Sequence, residues 1–151
     1  MLDSDLLNPG RILANVSINS RKRLLELISL TLAKKNKELS SREIFESLCA
    51  REQLGSTALG NGVAIPHGRI NGTEGVEAIF LRLTKPLFLD ANDEEPVDLV
   101  FALAVPKECT DDHSKLLSNI AERFSDTKLL GQLREAADAN EIWQLLSSSH
   151  S

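Results

Sequence analysis

The chain has 151 residues, 42% hydrophobic and 26% charged, and a net charge of −5 at pH 7. That is enough for one compact domain burying roughly 70% of its unfolded surface, and the acidic balance argues against a nucleic-acid partner, which calls for a basic face. Two cysteines, Cys49 and Cys109, make neither a disulfide framework nor a metal-type spacing, and the longest apolar run, Leu99 to Val105, falls well short of the about 20 residues of a membrane-crossing helix.

Along the chain, the acidic start Met1-Leu2-Asp3-Ser4-Asp5 lacks a signal-peptide pattern, so a cytoplasmic, reduced protein without membrane insertion is expected. Arg11 to Val16 predicts a first strand. Ser20 caps a helix to about Lys35, with Leu24, Leu27, Ile28 and Thr31 on one face and Leu25 and Leu32 widening it. Ser40 and Glu43 have capping-box spacing and open a second helix, with Ile44, Phe45, Leu48 and Cys49 facing inward, that ends before Gly55. Val63 to Ile65 reads as a short strand feeding His67, and Asn71-Gly72 as a turn. Glu77 to Leu83 is rich in strand formers. Val97 to Val105, ended by Pro106, suits a strand buried on both faces. Thr110, Asp111 or Asp112 caps a helix carrying Leu116, Leu117, Ile120, Ala121 and Phe124. Asp126 caps another with Leu129, Leu130 and Leu133, and Asp138 with Glu141 boxes the last, with Ile142, Trp143, Leu145 and Leu146. The expectation is a single domain over 1–151, with its core at about 6–146 and a frayed tail at 147–151 that includes His150. Interleaved strands and helices imply an α/β layered fold with a sheet that is not purely parallel.

The chemistry concentrates around Gly60-Asn61-Gly62-Val63-Ala64-Ile65-Pro66-His67-Gly68. Six of the eight glycines lie between Gly55 and Gly75, and His67 is one of three histidines. A histidine held between proline and glycine at the end of an apolar run is presented for chemistry at its ring. Arg51 precedes the glycine-rich loop, and His113 follows the last buried strand at a helix start, where open α/β sheets gather ligands. A neutral imidazole is a nucleophile. An arginine fork suits phosphate oxygens, and backbone donors in a glycine-rich loop add to it. Ser56, Thr57, Gly62 and Gly68 are the loop residues expected near a transferred phosphoryl group. The plainer alternatives are a solvent-facing His113 and a surface Arg51 paired with Glu52 or Glu46.

Arg51-Glu52-Gln53-Leu54-Gly55-Ser56-Thr57, followed by Leu59-Gly60-Asn61-Gly62-Val63-Ala64-Ile65-Pro66-His67-Gly68, resembles the phosphorylation-site signature of enzyme IIA proteins. These belong to the fructose/mannitol superfamily of the bacterial phosphoenolpyruvate phosphotransferase system. The resemblance continues through Pro96–Pro106 to His113 and covers about Leu6 to Leu146. Gly55-Ser56-Thr57 with Gly60-Asn61-Gly62 suits the nitrogen-regulatory branch. The resemblance implies a three-layer fold, a mixed β-sheet with helices on both faces as in mannitol-type enzyme IIA. It implies His67 as phosphoacceptor, Arg51 holding the phosphoryl group and His113 as second site histidine, with no cofactor and no metal. Its implied partners are an HPr- or NPr-type carrier and downstream regulatory targets such as potassium transport components or sensor kinases.

The carrier is expected to dock on an apolar ring of Val63, Leu59 and Ile70. The acidic segment Lys107 to Asp112 varies among family counterparts, and Cys109 within it reads as an inert packed thiol. One alternative is a sugar-specific enzyme IIA passing phosphate to a IIB component. A second is a metal-dependent hydrolase using His67 and His113, which lacks any His-x-x-x-His or Cys-x-x-Cys element. A third is a binding module that keeps the fold and is never phosphorylated.

Overall fold

A computed structural model describes residues 6–71, 73, 75–89, 95–108 and 111–147. A 3-10 turn at Pro9–Arg11 leads into β1 (Ile12–Val16). Helices α1 (Arg21–Lys35) and α2 (Ser41–Leu54) follow, then β2 (Ala58–Gly60), β3 (Val63–Ala64) and β4 (His67–Ile70). Two long strands, β5 (Glu77–Leu87) and β6 (Val97–Pro106), precede α3 (Asp111–Arg123), α4 (Thr127–Glu135) and α5 (Ala139–Ser147). The strands form one sheet in the order β1-β5-β6-β3-β2, with β4 also on β6. β5 and β6 run antiparallel, whereas β1–β5, β3–β6 and β4–β6 are parallel. The sheet is therefore mixed, with helices on both faces.

The alternation of β6 builds the two layers. Leu99, Phe101, Leu103 and Val105 face a core shared with Ile120, Phe124, Leu129, Leu130, Leu133, Ile142 and Leu146 of the C-terminal helices. Val100, Ala102 and Ala104 face the other core, with Leu24, Leu25, Ile28 and Leu32 of α1 and Ile44 and Leu48 of α2. The stretch Leu99–Val105, covered on both sides, is apolar at every position, which is why its sequence shows no alternation. Phe80, Phe101 and Phe124 pack together with ring centroids 5.5 to 6.3 Å apart.

The helix starts follow their sequence signals, with two changes in the partners. Ser20 Oγ accepts from Arg23 N, Ser40 Oγ from Glu43 N, and Asp126 Oδ1 from Lys128 N and Leu129 N. Glu43 does not close a reciprocal box; its Oε2 instead accepts from the backbone and side-chain amides of Asn71. Glu141 reaches back to Ala137 N, one residue before the expected partner, while Asp138 Oδ1 accepts from Glu141 N. α3 begins at Asp111, so Asp111 and Asp112, two of the three cap candidates, lie within the helix; Thr110, the third, lies outside the described residues, as do Gly72 of the expected Asn71-Gly72 turn, Cys109 and the tail 148–151. β5 runs four residues past the expected end at Leu83, because a register shift between Arg82 and Leu87 gives Pro86 a place without a ladder N–H.

Candidate functional site

Proline shapes the centre of the site. β3 and β4 are two pieces of one line, both parallel to β6, with Val63 opposite Leu99 and His67 opposite Leu103. His67 therefore opens a strand, where the sequence suggested that it ends one. Between the pieces, Pro66 has no N–H to give the ladder, although its carbonyl accepts from Leu103 N at 2.9 Å. The break leaves the Ile65 carbonyl to a side chain. His67 Nδ1 lies 2.7 Å from it. A carbonyl can only accept, so Nδ1 carries the proton and Nε2 keeps its lone pair. Burial holds the imidazole below its ordinary value of 6.5; the Ile65 hydrogen bond opposes this, the Arg51 charge adds to it, Glu52 opposes it and Arg69 adds to it. The ring is thus neutral at pH 7 with a defined nucleophilic nitrogen.

Two clefts meet at this ring. The smaller, about 190 Å³, is lined by Arg51, Ser56, Thr57 and His67, with Leu59 and Leu117 among its apolar walls. The larger, about 680 Å³, is lined by Arg51, Leu54, His67, Arg69, Ser114 and Leu117 among others. The smaller lies below the roughly 300–1,000 Å³ of sites that enclose a drug-sized ligand and suits a small anion. Arg51 comes from the last turn of α2, and its Nη1 donates to the Gly55 carbonyl at 2.9 Å. That bond, in place of the pairing with Glu52 or Glu46, turns the guanidinium toward the loop. Gly55 can cap the helix there because its φ of 151° suits glycine. Ser56 Oγ accepts from Ala58 N at 3.1 Å, and Thr57 Oγ1 donates to Glu52 Oε2 at 2.6 Å. His113 sits half-buried on the first turn of α3, one turn before Leu117 on the same face. Among the described residues, α3 lines the clefts with Ser114, Leu117 and Ala121.

Gly62 lies elsewhere. Asn61 and Gly62 have φ of 57° and 82° and turn the β2–β3 hairpin, the positive pair that a two-residue type I′ connection requires. A Cβ on Gly62 would strike the Arg134 guanidinium and come within 2.8 Å of Asp98 Oδ1. Arg134 grips Asp98 through two bonds of 2.9 Å and also donates to the Asn61 carbonyl. This corner is five residues of β6 from Leu103, or about 17 Å from the His67 register. Gly62 thus shapes a turn and is not brought to the His67 cleft. Gly68 lines the larger cleft, but its missing side chain serves packing, because a Cβ would sit 2.5 Å from Ser47 Oγ of α2. The expected apolar ring is also corrected: Val63 and Ile70 are 1% exposed, since both lie in strands paired to the central β6. The exposed apolar side chains near the clefts are Leu54 at 85% and Leu59 at 45%.

The family model described as "Phosphoenolpyruvate-dependent sugar phosphotransferase system, EIIA 2" matches residues 5–149. The chain belongs to this enzyme IIA family. This enzyme IIA is 43% identical over 141 residues to a nitrogen regulatory protein of Pseudomonas aeruginosa, covering 93% of this chain and 92% of that one. The structure of the nitrogen regulatory protein IIA-Ntr from Neisseria meningitidis superposes with a TM-score of 0.88 at 39% identity, over 94% of this chain and 97% of that one. The mannitol IIA of Escherichia coli, at 17% identity and a TM-score of 0.78 over 93% of this chain and 98% of that one, shares the fold. Within the family, this chain is of the nitrogen-regulatory type. Among the described residues, no helix is long and apolar enough to cross a membrane, and no three His, Cys, Asp or Glu side chains gather as a metal site.

Three residues of the site escaped the sequence reading. Glu52 is buried beside Thr57, and Arg69 and Ser47 stand next to His67 on β4 and α2. Arg69 was legible in principle, since a strand of alternating faces puts residue 69 on the side of residue 67. The burial of Glu52 depends on tertiary packing and left no local signal.

Proposed function

We propose that this enzyme IIA accepts a phosphoryl group on His67 Nε2 from a phosphohistidine of an HPr- or NPr-type carrier, and that the phosphorylated and free forms are read by regulatory targets. The observation that carries the reading is the 2.7 Å bond from His67 Nδ1 to the Ile65 carbonyl, which leaves Nε2 as the lone-pair nitrogen of a ring lining the same cleft as Arg51. In the transfer, Nε2 forms the new N–P bond as the carrier's N–P bond breaks, and the donor ring keeps that electron pair. His67 gains imidazolium character, which the Ile65 carbonyl stabilises through Nδ1–H. Both ends are phosphoramidates, so the protein's task is alignment and charge stabilisation. Arg51 meets the anionic oxygens with a permanent charge and a planar fork. Ser56 and Thr57, with their backbone, line the pocket in which those oxygens would sit, and His113 approaches from α3. The carrier docks over exposed Leu54 and Leu59, with Arg69 at the rim steering the encounter.

Phosphorylation adds about −1.5 to −2 charges beside that surface, enough to make a partner favour one form. The identity to nitrogen regulatory proteins favours regulatory targets, such as potassium transport components or sensor kinases, over a sugar-specific IIB. The test is a relay rebuilt with labelled phosphoenolpyruvate, enzyme I and a carrier of each branch. Acid-labile, alkali-stable label on His67, absent from a folded His67→Ala variant, is the expected result. Label that persists in His67→Ala would overturn the acceptor assignment.

A further inference from the structure

We propose that Glu52 is a positioning residue for His67: through Thr57 and Ile65, its buried carboxylate keeps the imidazole in the Nδ1–H form with Nε2 open to the cleft. The proposal rests on the reading of His67 as phosphoacceptor and adds to it the device that orients the ring.

Three hydrogen bonds run in series. Thr57 Oγ1 donates to Glu52 Oε2 at 2.6 Å. Ile65 N donates to the Thr57 carbonyl at 3.0 Å. His67 Nδ1–H donates to the Ile65 carbonyl at 2.7 Å. The first bond is short and charge-assisted, the stronger class of hydrogen bond. An ionised carboxylate only accepts, so Thr57 is forced into the donor role and its side chain into one orientation.

The burial of Glu52 needs a reason. Glu52 is 3% exposed and Thr57 5%, and Glu52 Oε1 is buried without a hydrogen-bond partner among the described residues. Burying a carboxylate this incompletely satisfied is costly, and well-packed apolar residues commonly replace buried charges without loss of stability. A buried hydroxyl by itself does not call for a carboxylate. Ser29, the other buried hydroxyl among the described residues, simply donates to Leu25 O of its own helix at 2.7 Å. What distinguishes Thr57 is its neighbourhood. It lies in a connection whose glycines at 55, 60 and 62 all have positive φ, and so in a stretch of chain that backbone entropy leaves loose. Its carbonyl is nevertheless the partner of the residue that holds the His67 ring. A tether to α2 fixes that carbonyl, and the same helical turn supplies Arg51 to the cleft. The negative charge of Glu52 also favours the cationic ring that forms on transfer.

The experiment compares the full-length protein with Thr57→Ser, Thr57→Val and the double variant Glu52→Met/Thr57→Val. The readouts are ring 15N spectra of His67, the transfer rate from the phosphorylated carrier, and Tm. Thr57→Val strands a buried carboxylate and loses Tm. The double variant removes both partners and regains much of it, because paired apolar replacement is nearly neutral. The expected result is that the double variant still shows both His67 tautomers and transfers about tenfold more slowly, the scale of one lost charge-assisted hydrogen bond. Thr57→Ser, which keeps the hydroxyl donor to Glu52, keeps the wild-type ring spectrum. A double variant whose ring stays wholly in the Nδ1–H form at wild-type rate would overturn the proposal and leave the Glu52–Thr57 bond a matter of stability alone. Absence of label on wild-type His67 would overturn the acceptor reading, and the ring spectra, which need no phosphorylation, would then decide the tether by themselves.

Discussion

Replacing Arg51 with alanine removes the cation that shares both clefts with His67, and two separate quantities should respond. The first is the ring's own titration. Arg51 is one of the charges holding His67 below its ordinary value, so its loss moves the His67 midpoint upward, while burial keeps it from rising far. The second is transfer. A unit charge about 4 Å from a phosphoryl oxygen at an effective dielectric near 20 is worth roughly 4 kcal/mol. Arg51 is half-buried, so solvent screens part of this, and about 1.4–2.8 kcal/mol remains, or roughly tenfold to a hundredfold in rate. Arg51→Lys separates charge from geometry: it keeps the midpoint near wild type but loses the planar fork and the bond to the Gly55 carbonyl, so transfer still slows. The assays are NMR titration of His67 and quenched-flow transfer from labelled carrier in both directions. An Arg51→Ala protein with an unmoved midpoint and unchanged forward and reverse rates would refute the assignment.

Lowered by burial, the His67 midpoint should lie below 6.5, and acceptor activity should persist as pH falls through 6.5 until the folded ring itself protonates. The same shift makes the unfolded chain bind its proton first, so the His67 contribution to stability is intact above 6.5 and is lost as pH falls from there toward the folded midpoint; a midpoint at or above 6.5 by NMR would contradict both. Gly62→Ala, at a φ of 82° and against Arg134 and Asp98, should cost about 1–3 kcal/mol by denaturant titration, yet the folded protein should transfer at the wild-type rate because the turn is remote from His67; a selective loss of transfer would return Gly62 to the phosphoryl site. Leu54→Asp, on a side chain 85% exposed, should leave Tm within about a degree or two and weaken carrier encounter several-fold in KM; an unchanged KM would move the docking surface elsewhere.

Much of the fold was legible because local signals and packing agreed. The unbroken apolar run of β6 predicted a strand covered on both faces, and the serines at 20 and 40 and the aspartates at 126 and 138 marked helix starts that the structure keeps. Where the reading slipped, side chains had a choice of partner that sequence does not rank. Glu43 could have closed its own cap, but Asn71 offers it two donors. The Asn61-Gly62 pair carries the same hairpin signal as Asn71-Gly72, but its nearness to His67 suggests a phosphate loop instead. Pro66 was read as presenting the histidine. It also breaks the ladder and so frees the carbonyl that orients the ring. The meeting of Arg51 and His67 in one cleft came from the signature they share with a family, since residues sixteen apart on a helix and a strand carry no pairing signal of their own. Glu52 stands in that same signature, but its charge pointed to the surface, and only the closure of α2 over the loop buries it.

The most direct measurement is the position of the N–P bond, read by 15N and 31P NMR on protein phosphorylated through the carrier. The account predicts a single phosphohistidine at His67, bonded through Nε2, with Nδ1 still protonated toward the Ile65 carbonyl. Phosphate on Nδ1 of His67, or on His113, would contradict it.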